Sequence, residues 1–322
     1  MLSTNNLFRY ATSELSQDAF ISWLLSHALK ENKNINPLLT ECALEFLHKI
    51  KGLETVTCIN NLLRQVDNID VLVQGDEFEI IIEDKTYTNT HNNQISNYLE
   101  ARVNKVGDKT DVFCVLYKII EQPHPEKGVD FEFTRNILLD MFRKYRVKSD
   151  NVIFNDYVDF LEDIEARTQS YKKLPIHKWN DDAYRGFFVY LAKNLNLSPF
   201  WWGYVANPSG GFQCYSWNFI TSDELDKIGI TDEYLDEIYL QIENDIIAVK
   251  MTPGKDRDKV NDIRHKLYCY FKDNISDFEK KSFRYGKYMT IGFMKYNEMN
   301  YKEKIDDIQK AANNLKKTKI LS

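Results

Sequence analysis

Phe78 to Lys85 reads FEIIIEDK, and this octet constrains the fold more than any other stretch of the chain. Three consecutive isoleucines in an extended segment put apolar side chains on both faces, because neighbouring residues point to opposite sides. A strand of that kind belongs inside a sheet covered on both sides. Yet the run ends in two acids and a lysine. Glu83 and Lys85 share one face, and Asp84 points to the other. Charged groups at the end of an interior strand are costly unless something pairs with them.

The flanking segments complete a sheet. TVTCI (55–59) and NIDVLV (68–73) are rich in β-branched residues, and Gly75-Asp76 predicts a hairpin turn between NIDVLV and FEIIIED. A turn centred between Gly75 and Asp76 sets Asp70 opposite Ile81. A bulge or a shifted register would set it beside Glu83 instead. Helices are predicted over SQDAFISWLLSHAL with Ser16 as cap, after Asn36-Pro37, from Thr90 to Val103, and over FTRNILLDMFRKY. DVFCVLY (111–117) is a further strand. The order helix, helix, three strands, helix, strand, helix predicts an α/β core, a central mixed sheet flanked by helices.

A second α/β region follows. Helical periodicity marks 152–171, 181–195 and 257–271, and strand-like runs surround turn signals at Gly210-Gly211 and Asn244-Asp245. YMTIGFM (288–294) is another strand, and the tail from Tyr301 has Ile305, Ile308, Ala312 and Leu315 at the spacing of a surface helix. Residues 1–175 are taken as the core and 176–322 as an elaborated C-terminal half, with no low-complexity linker between them. In PFWWGY, Trp201 and Trp202 cannot face the same side of a strand.

Two carboxylates held together repel, and one or both are driven toward protonation. A divalent ion removes that difficulty. Mg²⁺ takes oxygen ligands, keeps several waters, holds a phosphate oxygen and lowers the pKa of an attacking water. A lysine beside the ion can orient that water or balance charge in the transition state. Asp70, Glu83 and Lys85 are therefore an economical set for phosphodiester hydrolysis without a covalent nucleophile. Taken alone, an acid-x-Lys triplet is most often a solvated pair at a strand end.

Together, ATSELSQDAFISWLL and NIDVLV…IIIEDKTYTNTHNNQISNY resemble the PD-(D/E)XK nuclease superfamily, and within it an uncharacterised bacterial branch. The resemblance implies a restriction-endonuclease-like core and hydrolysis of DNA phosphodiester bonds with Mg²⁺, for which Mn²⁺ would substitute. It makes Asp70 and Glu83 metal ligands and Lys85 the motif lysine. Ile69 stands where the superfamily's proline would be. Glu14 would reach the metal directly or through water. Gln94 matches the glutamine on the helix after the motif, and Tyr98, one turn on, shares its face. Ile82, the hydrophobic position before Glu83, is a further metal-shell candidate, with the backbone carbonyl of Asp84 as the alternative. His91 is a candidate substrate contact. The motifs cover residues 10–117. DNA is the implied substrate, RNA is left open, and a homodimer would suit cutting both strands.

Other features bound this reading. The formal charge of -6 argues against a surface coated in nucleic-acid-binding lysines, while leaving room for one basic groove. Arg257, Lys259, Arg264, Lys266, Lys281, Arg284 and Lys287 could form such a groove or a solvated face. The five cysteines contain no CxxC pair, which favours reduced thiols over zinc or disulfides and a cytoplasmic setting. The first residues do not resemble a signal peptide, and no apolar run is long enough to predict a membrane span. A non-catalytic nucleic-acid-binding module and a protein-interaction component of a defence system are the alternatives to an enzyme.

Overall fold

A computed structural model describes residues 2–85, 94–107, 109–122, 128–208, 210–231, 235–255, 257–280 and 285–319. The chain divides into two compact units, Met1–Ala166 and Arg167–Ser322.

The first unit is built on a sheet of β1 (Asn61–Val66), β2 (Ile69–Gln74), β3 (Phe78–Lys85), β4 (Asp111–Lys118) and β5 (Phe131–Thr134), in that spatial order. The first three strands form an antiparallel meander, and β4 and β5 run parallel to β3. The sheet is thus mixed, with β3 at its centre. Helices cover both faces. On one side α1 (Glu14–Ser26), α2 (Pro37–His48), α4 (Arg135–Arg146) and α5 (Val152–Thr168) share a core with Val71, Val73, Ile80, Ile82 and Tyr117. On the other side α3 (Gln94–Val106) sets Ile95 against Leu72, Ile81 and Cys114. Successive isoleucines of β3 therefore enter opposite cores, which accounts for the unbroken apolar run.

Local chemistry sets several boundaries. Asn36 caps α2 by accepting from the Leu39 amide at 3.2 Å, with Pro37 in the first turn. Thr134 ends β5 and caps α4, accepting from the Ile137 amide. Two sequence readings are corrected. TVTCI forms no strand; only Ile59 makes an isolated bridge, to Leu29. The first strand is the largely exposed NLLRQV, joined to β2 by Asp67 and Asn68 with φ of 54° and 63°. Two successive left-handed residues match the twist of a two-residue hairpin.

The second unit is an antiparallel sheet in the order β10-β9-β8-β7-β6, from β6 (Trp201–Val205), β7 (Phe212–Asn218), β8 (Leu235–Glu243), β9 (Ile246–Pro253) and β10 (Met289–Lys295). Its helices are α6 (Asp181–Asn194), α7 (Ser222–Lys227), α8 (Arg257–Asn274) and α9 (Tyr301–Leu315). Alternation is strict along the central strands. Tyr215, Trp217, Leu240, Ile242, Ile247 and Val249 join the core with Phe187, Phe271 and Ile308. Cys214, Ser216, Gln241 and Lys250, at the intervening positions, line a cavity on the other face. Trp202 is buried and Trp201 exposed, as adjacent strand residues must be. Among the described residues, no helix is long and apolar enough to cross a membrane.

Candidate functional site

The register between β2 and β3 decides where the acids meet. Gln74 pairs with Glu79 and Val71 with Ile82, and the Gly75 amide donates to the Phe78 carbonyl at 2.8 Å. The turn is therefore centred between Asp76 and Glu77, one residue beyond the position that the Gly75-Asp76 signal predicts. That shift carries Asp70 from Ile81 to the level of Glu83 without a bulge. One Asp70 carboxylate oxygen accepts from the Asp84 amide at 3.0 Å, which fixes Asp70 against the end of β3.

The other Asp70 oxygen accepts from the Gln65 amide nitrogen at 3.2 Å, and the same nitrogen donates to Asp18 at 3.0 Å. Gln65 of β1 thus bridges two acids, Asp18 on α1 and Asp70 on β2. It does so with φ of 50°, a left-handed conformation that costs a non-glycine residue about 1 kcal/mol or more. Asp18 sits one turn after Glu14 on α1, and only 1% of it is exposed. Burial, then the Asp70 charge, push its carboxyl up to about 7, against the pull of Arg64 and Gln65; Glu14 adds to the rise.

Asp84 points toward the same helix. It is 1% exposed, and neither carboxylate oxygen has a hydrogen-bond partner among the described residues. Its neighbour across β4 is Tyr117, whose hydroxyl shares a 2.8 Å hydrogen bond with that of Tyr157, and Phe20 of α1 stacks on Tyr157 at 3.6 Å. In this apolar setting burial drives the Asp84 carboxyl well above the usual range. Asp18, Glu14 and Asp70 push in the same direction, and Lys85 opposes them.

Glu83 and Lys85 form a 2.6 Å ion pair at the strand end, the lysine side chain 12% exposed. Burial works against the Lys85 ammonium, but the hydrogen bond and charge of Glu83, with Asp70 and Glu14, outweigh it and hold its pKa above the ordinary value. Glu14, Asp70, Glu83 and Lys85 accordingly gather at the carboxyl end of β3, a corner that Asp18 and Asp84 also enter.

The remaining candidates fall elsewhere. Ile82 lies inside the ladder between Val71 and Val115, its side chain in the core. Tyr98 packs, half-buried, against the cluster of Leu72, Ile81 and Ile95. Gln94 opens α3. His91 lies outside the described residues. Of the basic residues grouped in the sequence, Arg264 is 2% exposed and donates to the Thr290 carbonyl at 2.8 Å, and Lys266 pairs at the surface with Asp262 at 3.1 Å. Lys281 and Arg284 lie outside the described residues.

Reasoning from sequence missed Asp18, Gln65 and Asp84. Asp18 carried a usable signal, an acid one helical turn from Glu14 on the apolar side of α1. The resemblance offers Asp84 only a backbone role; its side chain, which alternates away from Glu83, meets the charges of Asp18 and Glu14 on α1. Gln65 carried none, since nothing local marks a left-handed residue there.

No family model, curated protein or solved structure matches the chain.

Among the described residues, no group of three or more His, Cys, Asp or Glu side chains is set to hold a metal ion. The donor chemistry nevertheless suits a hard cation. All of the gathered acids offer oxygen, and Asp84 keeps both oxygens unpartnered in a place that penalises its charge.

Proposed function

We propose that this chain is a Mg²⁺-dependent nuclease, hydrolysing DNA phosphodiester bonds at the carboxyl end of β3, and that its first unit is a restriction-endonuclease-like core. The observation that carries the reading is the convergence of Glu14, Asp70, Glu83 and Lys85 beside a buried Asp84 whose oxygens have no described partner. Mutual repulsion of that kind is a burden to a structural site and an asset to a cation site.

Asp70 and Glu83 would hold the ion, with Glu14 completing its shell directly or through water. A bound Mg²⁺ supplies charge for the phosphate oxygens and acidifies a water. The chain's own residues do the rest. The Asp84 amide and Gln65 fix the two oxygens of Asp70. Glu83 positions the Lys85 ammonium, which stays protonated and donates to the attacking water or to the non-bridging oxygen that gains charge. The meander β1–β2–β3 followed by parallel β4 supports the fold assignment through strand order and direction.

The test is incubation of the full chain with supercoiled plasmid, linear duplex and single-stranded DNA, in Mg²⁺, Mn²⁺ or chelator, beside Glu83→Ala. Metal-dependent cutting that falls by about a hundredfold or more in the variant is the expected result. Cutting that survives both chelator and Glu83→Ala would remove these residues from the chemistry. The alternative is a nucleic-acid-binding module that keeps the fold without turnover. It predicts nucleic-acid binding without Asp70-dependent uptake of Mn²⁺ in calorimetry.

A further inference from the structure

The second unit carries a cavity of about 340 Å³ on the sheet face away from its helices. The walls are aromatic: Phe200, Trp201, Tyr239 and Tyr288. Phe200 meets Tyr239 edge-on at 5.4 Å. The Trp201 indole lies beside Gly203, whose φ of 145° is a conformation that side-chain-bearing residues rarely adopt. Trp201 and Tyr288 remain 37% and 60% exposed, which is unusual for large rings that flank a cavity.

The floor is polar and buried. Lys250, 8% exposed, donates to Glu243 at 2.7 Å and to the Thr290 hydroxyl at 3.1 Å. Gln241, 6% exposed, donates to the same Glu243 oxygen at 3.0 Å. An ammonium has three N–H groups and an amide nitrogen two, so each keeps one donor beyond its described partners. Glu243 balances the lysine charge, leaving a neutral floor with donors to spare. Ser216 stands between Cys214 and Gln241 on the same floor.

We propose that this cavity binds a planar heterocycle that carries a carbonyl where adenine and cytosine carry an amino group: a keto nucleobase, guanine or uracil/thymine, stacked on Trp201 or Tyr288, its O6 or O4 accepting from Lys250 and Gln241. Stacking serves any base, whereas surplus donors favour a keto edge over the amino edge of adenine or cytosine. A cation would meet Lys250, and a wholly apolar ligand would strand its spare N–H. The volume sits at the small end of ligand sites, enough for a nucleoside but not for a longer segment. The ammonium of the exposed Lys287 lies 5.3 Å from the centre of the Tyr288 ring. The argument uses only residues of the second unit and does not depend on the acids of β3.

The experiment uses the full chain carrying Glu83→Ala, in chelator, so that cleavage plays no part. GMP, UMP, AMP and CMP, then oligo-U and oligo-A, are titrated by calorimetry, with tryptophan fluorescence as a second readout. GMP and UMP should bind about tenfold or more tightly than AMP and CMP, and Trp201→Ala or Tyr288→Ala should weaken binding by about tenfold. Both replaced rings are partly exposed, so the variants keep the core intact. Oligo-U binding more tightly than UMP would identify a base within a strand as the occupant; equal affinity would identify a free nucleotide. No binding by any of these compounds, equal affinity for all four bases, or insensitivity to both ring variants would overturn the proposal.

Discussion

At the scale of single residues, the β3 corner is organised by burying acids that have too few partners. Asp18 shows the cost most directly. Its folded pKa of about 7 lies above the ordinary carboxyl value of 3.8, so the folded state binds a proton that the unfolded chain has released. The contribution is fully present below pH 4 and is lost as pH rises through 7. Without divalent ions, stability should therefore fall across that window, by up to about 3–4 kcal/mol from this group. Asp18→Asn should remove most of the dependence, stabilising the chelator-treated protein at pH 8 and not at pH 4. Denaturant midpoints of both proteins at the two pH values check this, and equal midpoints at pH 8 would refute it. The site was legible only in part. Asp70, Glu83 and Lys85 stand out because charge interrupts an interior strand. Glu14 needed the resemblance, because an acid in the first turn is ordinary in any helix. The Asp84 side chain stayed illegible since alternation alone says which face a side chain takes and not what waits there.

At the scale of elements, ion pairs tie α3 to the sheet where apolar contact is sparse. Arg102, 5% exposed, donates to both carboxylate oxygens of Glu79, at 2.6 and 2.8 Å, and reaches Asp67 in the β1–β2 turn at 3.2 Å. Glu79 is itself 4% exposed on β3. Arg102→Ala should destabilise the protein by about 3–5 kcal/mol, because it leaves a buried carboxylate unpaired. The double change Arg102→Met with Glu79→Leu should recover much of that loss. Thermal unfolding of the three proteins tests it; a loss under about 1 kcal/mol in Arg102→Ala would show that the pair is solvated. The same elements show what periodicity reveals. β3, β4 and most helices were legible because each buries a regular stripe. β1 was missed because NLLRQV is an exposed edge strand with weak patterning, while the more β-branched TVTCI next to it drew the assignment. The available clue is the pair Asp67-Asn68, a turn signal that differs from the favoured Asp-Gly only at its second residue.

At the scale of the whole molecule, a formal charge of -6 sets how the chain can meet a polyanion. The net charge supplies no overall attraction, and among the described basic residues Arg264 is buried against a backbone carbonyl while Lys266 pairs with Asp262 at the surface. If the chain binds nucleic acid as proposed, affinity would then rest on short-range contacts: a cation bridging phosphate to Asp70 and Glu83, or a ring such as Trp201 on which a base can stack. Such binding releases few counterions. With about two phosphates neutralised on a single strand, raising salt from 50 to 200 mM should weaken binding by less than about tenfold, where a protein making 6–10 phosphate contacts loses about 10³–10⁵. Fluorescence anisotropy of a labelled single strand against Lys85→Met, which keeps both Asp70 and Glu83, across that salt range with and without Mn²⁺, measures the slope directly. A steep slope in chelator would mean that a basic surface carries the binding after all. A shallow slope, with affinity that rises on adding Mn²⁺ and falls with Asp70→Ala, would place the phosphate contact at the acids and the remainder of the binding energy in stacking.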